Sequence, residues 1–516
     1  MIARLAHRAW VALNHERWDS FRRALDDPEE AQEQLLRSYL RDNAGTFVGN
    51  RYLFSTIDSI SSFQKTVPIV SYENIEPDIA TLRRGVQDVL TREPVQKLVP
   101  SSGSSTTHKL IPYNRRSRRE FQRAVGPWIA DLDRRRPGAL AGRAYWAPSP
   151  LAEAFDDEPS EVPIGFNDDS AYFGGPAQRL VHRVLAVPSS VRDIEDLDEF
   201  CYTTLKYLLR ARDLSLISVW NPAFFTFLLD ALPANWDRLL RDLPRRRALE
   251  LKKIGPESPA AFWPDLEVIS CWKDSHAATV ARKLGEIFPN ADVEAKGLLA
   301  TEAVVTVPFE EQRPLAVRSH FFEFLDNSGC PHIATDLEMD GEYDVVVTTG
   351  SGLYRYRLGD RVRVTGFLGR TPCLSFLGKT DKISNRLGEG LTDGHVAACM
   401  RRVLAPLDIN TRFSMLAPFK QGEHLCYTLF IEVEGGLSDH LAGEIAAQLD
   451  QALMTGPDYR RCRQEGQLAP IQIFRIAGGG HRAYMHYMCS QGQRLSDIKP
   501  AVLDARSGWS NRFEPM

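Results

Sequence analysis

Residues 343–367, YDVVVTTGSGLYRYRLGDRVRVTGF, restrict the architecture more than any other stretch of the chain. Runs rich in β-branched residues are cut by Gly350, Gly352 and Gly359, so the segment predicts strand, glycine turn, strand, turn, strand. On both sides of it strands alternate with helices. Residues 29–42 predict a helix with Leu36, Tyr39 and Leu40 on one face. SHAATVARKLGEIFPN predicts another, whose stripe Ala277, Val280, Ala281, Leu284 and Phe288 is ended by Pro289. The most apolar window, LSLISVWNPAFFTFLLDALP, contains Asn221, Pro222 and Asp230 and reads as a buried strand, turn and helix, not a membrane span. Near the C-terminus, LCYTLFIEV, a helix from Ser438 to Leu453 with Leu441, Ile445 and Leu449 at helical spacing, and IQIFRIA make a β-α-β piece. The class is α/β, and a chain of 516 residues is too long for one core.

Charge and cysteine usage narrow the partners. The formal net charge is -4, with 25% charged residues, which argues against general nucleic-acid binding. The clusters Arg115-Arg116-Ser117-Arg118-Arg119 and Arg245-Arg246-Arg247 read as solvated helix faces, with a binding patch as the alternative. No two of the eight cysteines stand at C-x-x-C spacing, so zinc-ligand spacing is absent and reduced thiols in a cytoplasmic protein are expected. The first apolar run is too short for a secretory signal. No membrane association is expected, and the sequence leaves the oligomeric state open.

The stretch VPSSGSSTTHKLIP, residues 99–112, packs six hydroxyls around Gly103, with Lys109 just beyond them. It is not a P-loop, because no second glycine precedes the lysine and no hydroxyl follows it. A Ser- and Gly-rich turn can still gather backbone N–H groups on a phosphate; a plain polar turn is the more ordinary reading of the residues alone. Three other positions have ordinary local readings. Thr301-Glu302 after an apolar run reads as a helix start. Asp360 after Gly359 reads as a turn residue. Lys499 reads as a solvent-facing lysine.

The stretch, with its approach VPIVSYENIEP and tail KLIPYN, resembles the auxin-responsive acyl acid–amido synthetases. That family lies within the luciferase-like, adenylate-forming superfamily. Further resemblances follow in the family's order: AYWAPSP, PIGFNDDSAYFG, SVWNPAFF, VISCWKDSHA, KGLLATEAVVTVP, SHFFEF, GLYRYRLGDRVRVTGF, FLGKTDK and SQGQRLSDIKP. They run from about residue 45 to 505, and the bacterial branch is the most similar in motif. The resemblance implies a large N-terminal domain over residues 1–384, with mixed sheets, helices and a β-barrel-like part, that binds nucleotide and acyl acid. It implies a small mobile α/β lid over 385–516, with Asp381 at the hinge. It implies ATP and Mg²⁺, a small carboxylic acid that is first adenylated, and an amine, usually an amino acid, that then displaces AMP.

By the same resemblance, Ser101, Ser102, Gly103, Ser104 and Ser105 form the phosphate loop and Lys109 is its lysine. Thr301 contacts the α-phosphate and Glu302 lies beside Mg²⁺. Asp360 accepts from the ribose hydroxyls, and Lys499 swings in to stabilise the α-phosphate during adenylation. Two positions depart from the family pattern. Thr106 stands where the loop usually ends in glycine. Gly390, in Gly388-Glu389-Gly390-Leu391, stands where bacterial relatives carry a lysine that faces the nucleotide; Lys379, Lys382 or Arg386 are candidates to replace its charge. Two other activities share such a fold: an adenylating ligase with a thiol acceptor, of the acyl-CoA type, and a non-catalytic nucleotide-binding protein.

Overall fold

The computed structural model describes residues 2–101, 109–147, 159–165, 175–274, 277–380, 383–407, 409–421, 424–491, 493, 495, 498 and 501–516. The chain forms two compact units, Met1–Phe376 and Leu377–Met516. Among the described residues no helix is long and apolar enough to cross a membrane.

The first unit contains two sheets of different kinds. Strands Arg143–Trp146, Leu214–Ser218, Val268–Cys271 and Asp292–Ala295 lie side by side in that order, each neighbouring pair parallel. LSLIS and VISC are buried at every position, as strands covered on both faces must be. The crossovers include helices Leu197–Arg210, Pro222–Asp230 and Ala277–Ile287. In the second crossover Asn221 caps the helix by accepting from Ala223 N at 2.9 Å, with Pro222 at the first helical position, as the apolar window predicts.

The second sheet has five strands in the order Thr371–Lys379, Tyr356–Leu368, Glu342–Thr348, Phe321–Leu325, Pro331–His332. The expectation for residues 343–367 needs one correction. Gly350 and Gly352 do lie in the turn, but Gly359 does not end a strand, because Tyr356–Leu368 is continuous. Its register with Glu342–Thr348 jumps between Arg357↔Val346 and Arg361↔Asp344, so Leu358, Gly359 and Asp360 form a bulge. Gly359 has φ +72°, a value glycine reaches without a Cβ clash.

N-terminal helices Ile2–Asp26 and Pro28–Asn43 cover the unit. Leu36, Tyr39 and Leu40 are buried as the pattern predicts. They join Phe54, Phe321 and Tyr356 in the core against the antiparallel sheet. Trp10 packs with Trp128, Ile129, Leu216 and Val268 against the parallel sheet.

In the second unit, Thr411–Gln421 pairs antiparallel with His424–Val433, which pairs parallel with Gln472–Arg475. The parallel pair is the expected β-α-β piece. Its helix Asp439–Leu453 is capped by Ser438, and a second helix, Pro457–Gln464, follows in the crossover. All eight cysteines are free thiols, and Cys330 alone among them is exposed.

Candidate functional site

The serine-rich stretch connects two paired strands, and its ends form the stem of a hairpin. Lys97–Pro100 and Leu110–Tyr113 pair antiparallel, and Pro100↔Leu110 is the last pair before it. Ser101 N donates to Lys109 O at 2.8 Å and closes the base, with Ser101 buried and Lys109 half-buried. Ser102, Gly103, Ser104, Ser105 and Thr106 lie outside the described residues. The PIGF motif supports the stem: Leu98 N donates to Pro163 O, and Gly165 N donates to Leu98 O.

Thr301 and Glu302 are not a helix start. Ala300 N donates to Ala303 O at 2.9 Å, and Leu299 pairs antiparallel with Val304, so the two residues form the tip of a tight turn. Both are half-buried. The turn follows directly from the C-terminal end of Asp292–Ala295, the edge of a parallel sheet where ligands characteristically bind. At that edge Lys296 Nζ donates to Ser218 Oγ at 2.6 Å and lies 4.7 Å from the Trp220 ring.

Asp360 is 2% exposed and sits in the strand bulge. A carboxylate at a bulge is aimed differently from one in regular pleat. Strand Tyr356–Leu368 is anchored at its start by Arg355, whose guanidinium forks onto Glu323 at 3.0 and 2.9 Å and also donates to Gln64 O and Val67 O. This ion pair is almost fully buried, and every guanidinium nitrogen has an acceptor, which is the condition under which a buried charge is tolerated.

Hydrogen bonds tie these three pieces together. Val70 N donates to Arg355 O and Arg357 N to Val70 O, while Leu110 N donates to the Tyr72 hydroxyl. Val70 to Tyr72 thus joins the hairpin stem to the Asp360 strand. A second chain is centred on Glu120, on the buried face of helix Arg115–Arg135. Its Oε1 accepts from Tyr39 Oη at 2.6 Å and from Gly350 N at 2.9 Å, and Asn114 Nδ2 donates to Gly350 O at 2.8 Å. Its Oε2 lies 3.3 Å from His320 Nδ1, and His320 Nε2 accepts from Val304 N at 3.3 Å. Because Nε2 accepts, the ring proton sits on Nδ1, which is in contact with the carboxylate but is not aligned on it as a hydrogen bond. Burial, then the Glu120 charge, hold the Tyr39 phenol well above its ordinary pKa, so it stays a donor. The chain runs from the helix after the hairpin, through the loop before the Asp360 strand, to the base of the Thr301–Glu302 turn.

Sequence reasoning missed Glu120, His320 and Arg355. Glu120 did leave a signal: it is a carboxylate on the same apolar stripe as Ala124 and Trp128, a stripe that also carries the buried Asp131.

In the second unit Lys499 and Lys382 lie outside the described residues, as does Asp381. Gly390 has φ +54°, and its N donates to Asn385 Oδ1. Its neighbour Glu389 is buried and accepts from Arg386 N, Leu387 N and Tyr427 Oη. Burial pushes that carboxyl up, but these hydrogen bonds outweigh it and the net shift is downward. Arg386 donates to Ala505 O at 2.6 Å, and Lys379 is half-buried.

Residues 17–253 match the GH3 family N-terminal domain, 314–379 its central domain and 397–505 its C-terminal domain. The chain belongs to the GH3 family. It is similar to the probable indole-3-acetic acid-amido synthetase GH3.1 of Oryza sativa subsp. japonica, at 25% identity over 91% of this chain and 86% of that protein. It is also similar to the indole-3-acetic acid-amido synthetase GH3.17 of Arabidopsis thaliana, at 24% identity over 91% and 90%. Among solved structures, a GH3 protein described as AtGH3.15 acyl acid amido synthetase in complex with 2,4-DB superposes with a TM-score of 0.82, at 18% identity over 97% of this chain and 94% of that one. A 2-hydroxyisobutyryl-CoA ligase superposes at 0.53, with 11% identity over 95% and 89%. The GH3 fold is therefore shared nearly end to end, and that of the CoA ligase more loosely.

Proposed function

We propose that this GH3 chain is an ATP-dependent acyl acid–amido synthetase. It activates a small carboxylic acid as an acyl-adenylate with release of pyrophosphate, then passes the acyl group to an amine, with an amino acid as the expected acceptor. The observation that carries the reading is the full set of GH3 domains in order along the chain.

A free carboxylate is a poor electrophile at neutral pH, so AMP must be installed as the leaving group, and water must be kept from the adenylate. Most of the work in the first step is positioning and neutralisation of phosphate charge. In this reading the 101–109 hairpin loop takes the triphosphate, with Ser101 at its base and Lys109 supplying charge. Thr301 donates to the α-phosphate. Asp360, already buried and aimed by its bulge, accepts from the ribose diol with two oxygens, which suits a bidentate task. Lys499 serves the adenylation step from the C-terminal unit. The donor set suits Mg²⁺: that ion is commonly held by one or two carboxylates together with substrate phosphates, and Glu302 at an accessible turn tip offers one. When bound, the ion would supply neutralisation of phosphate charge. The bacterial branch is proposed from the ordered motifs, and Gly390 in Gly-Glu-Gly-Leu is this chain's departure from the Gly-Glu-Lys-Leu of that branch.

The test is a screen of aryl, indole and fatty acids for acid-dependent exchange of labelled pyrophosphate into ATP, followed by addition of amino acids or coenzyme A. The expected result is exchange with at least one acid class and amide on amine addition. Thioester in place of amide would move the chain to the acyl-CoA reading. Absence of exchange across the panel, with ATP still bound, would replace the ligase with a nucleotide-binding protein.

A further inference from the structure

A cavity of about 710 Å³ opens in the first unit between the end of helix Pro28–Asn43, the segment 91–93 and the start of helix Arg115–Arg135. Five arginines line it: Arg41, Arg92, Arg116, Arg119 and Arg123. Only two carboxylates do so, Asp42 and Glu93. Asp42 is shared, pairing with Arg41 at 3.1 Å and with Arg116 at 2.5 Å. Arg116 is also stacked 4.5 Å from the Tyr39 ring and bonded to Ser38 Oγ, so its guanidinium is held in place. Among the described residues, Arg92, Arg119 and Arg123 have no ion-pair partner. The excess extends beyond the cavity. Arg17 and Arg318 are partly buried, and after burial itself the charge of Arg123 is the next cause that lowers their guanidinium pKa. Like charges held together without matching carboxylates mark a surface built for an anion.

We infer that this cavity is a binding site for a multiply charged, phosphate-bearing small molecule. Planar guanidinium forks match phosphate oxygens in pairs, which a row of lysines does not. The volume suits a ligand of nucleotide size. The net charge of -4 and the concave shape favour a small anion over a nucleic acid, which needs an extended basic surface. Among the described residues, Ser101, Lys109, the Thr301–Glu302 turn and Asp360 do not line the cavity. It shares Gly350 and the Arg116–Tyr39 contact with the Glu120 chain, so an occupant would press on the groups that support the turn. The inference does not depend on amide synthesis.

Calorimetric titration with inorganic tripolyphosphate tests it, because no turnover is needed. Wild type should bind, and Arg119→Ser/Arg123→Ser should bind at least about tenfold more weakly, since two charge-assisted contacts are lost. Asp42→Asn, which frees Arg41 and Arg116, should bind more tightly. The thermal midpoint of each variant, read alongside, separates lost contacts from lost fold. Absence of binding in wild type, or equal affinity in wild type and the double variant, would overturn the site; the second result would assign the anion to the hairpin loop. Tighter binding of a single-stranded oligonucleotide than of tripolyphosphate, through the same arginines, would overturn the small-molecule reading.

Discussion

Glu120 carries more of the site's geometry than any residue the motifs name. Truncation to alanine would leave the Gly350 N–H buried without its acceptor and the Tyr39 hydroxyl with only its longer bond to Ser319 O at 3.2 Å. An orphaned group costs about 1–3 kcal/mol, so Glu120→Ala should lose roughly that much stability, read as a lower denaturant midpoint. Glu120→Gln is more informative. The amide keeps an oxygen for Tyr39 and Gly350 but turns an NH₂ toward the protonated Nδ1 of His320, donor against donor. Moving the His320 proton to Nε2 relieves that clash and creates another, because Nε2 now accepts from Val304 N. Either way the base of the Thr301–Glu302 turn loosens. Glu120→Gln should fold, with acid-dependent pyrophosphate exchange slowed about tenfold, the scale of a positioning defect of a few tenths of an ångström to an ångström. Exchange at the wild-type rate in a folded Glu120→Gln protein would reduce the chain to scaffolding.

At the scale of elements, the bulge in Tyr356–Leu368 sets the aim of Asp360. Gly359→Ala should cost about 1–2 kcal/mol, because a Cβ at φ +72° is strained, and should weaken ATP binding through backbone movement. Asp360→Asn should weaken ATP binding at least tenfold with no such backbone cost, since it removes only the charge-assisted bonds to the ribose. If ATP affinity is unchanged in both, Asp360 is a strand residue and nothing more. The same strand shows where sequence was legible. Runs within strongly apolar windows, such as LSLIS, and periodic stripes such as Ala277, Ala281 and Leu284, predict their elements because local composition and burial agree. Gly359-Asp360 reads as a turn from composition, and only pairing with Glu342–Thr348 makes it a bulge. Thr301-Glu302 reads as a helix start for the same reason: the bonds that make it a turn come from Ala303, Val304 and His320, not from a following helix. Tyr39, Glu120 and His320 are far apart in sequence, so no local pattern brings them together. The family's motif residues were visible as motifs; the groups that hold them were not.

The whole molecule divides its chain between two units, and the proposed reaction divides into two half-reactions. The first is attack on the α-phosphorus with loss of pyrophosphate; the second is attack on the acyl carbon, and the departing α-phosphate takes up the electron pair of the broken C–O bond. In the proposal a cation from the C-terminal unit serves the first of these steps, and the charge on departing AMP is met by the first unit. Where bacterial relatives have a lysine, this chain has Gly390 at φ +54°, with its N–H engaged by Asn385. Among the nearby candidates, Arg386 donates to Ala505 O. The proposal assigns the cation's role to Lys499, and its loss should cost more here than in relatives with both. Lys499→Ala should slow adenylation on the order of 10²–10³, the usual effect of removing one preorganised donor. Amide formation from a preformed acyl-adenylate should be nearly unchanged. Gly390→Lys should not rescue the variant, since a side chain at that φ is strained and the Glu389 loop around it is tightly hydrogen-bonded. Rapid-quench timing of the two half-reactions in Lys499→Ala decides the matter. Equal slowing of both would make Lys499 a structural residue of the second unit; slowing of neither would move the adenylating charge to the first unit, with Lys109 the next residue to test.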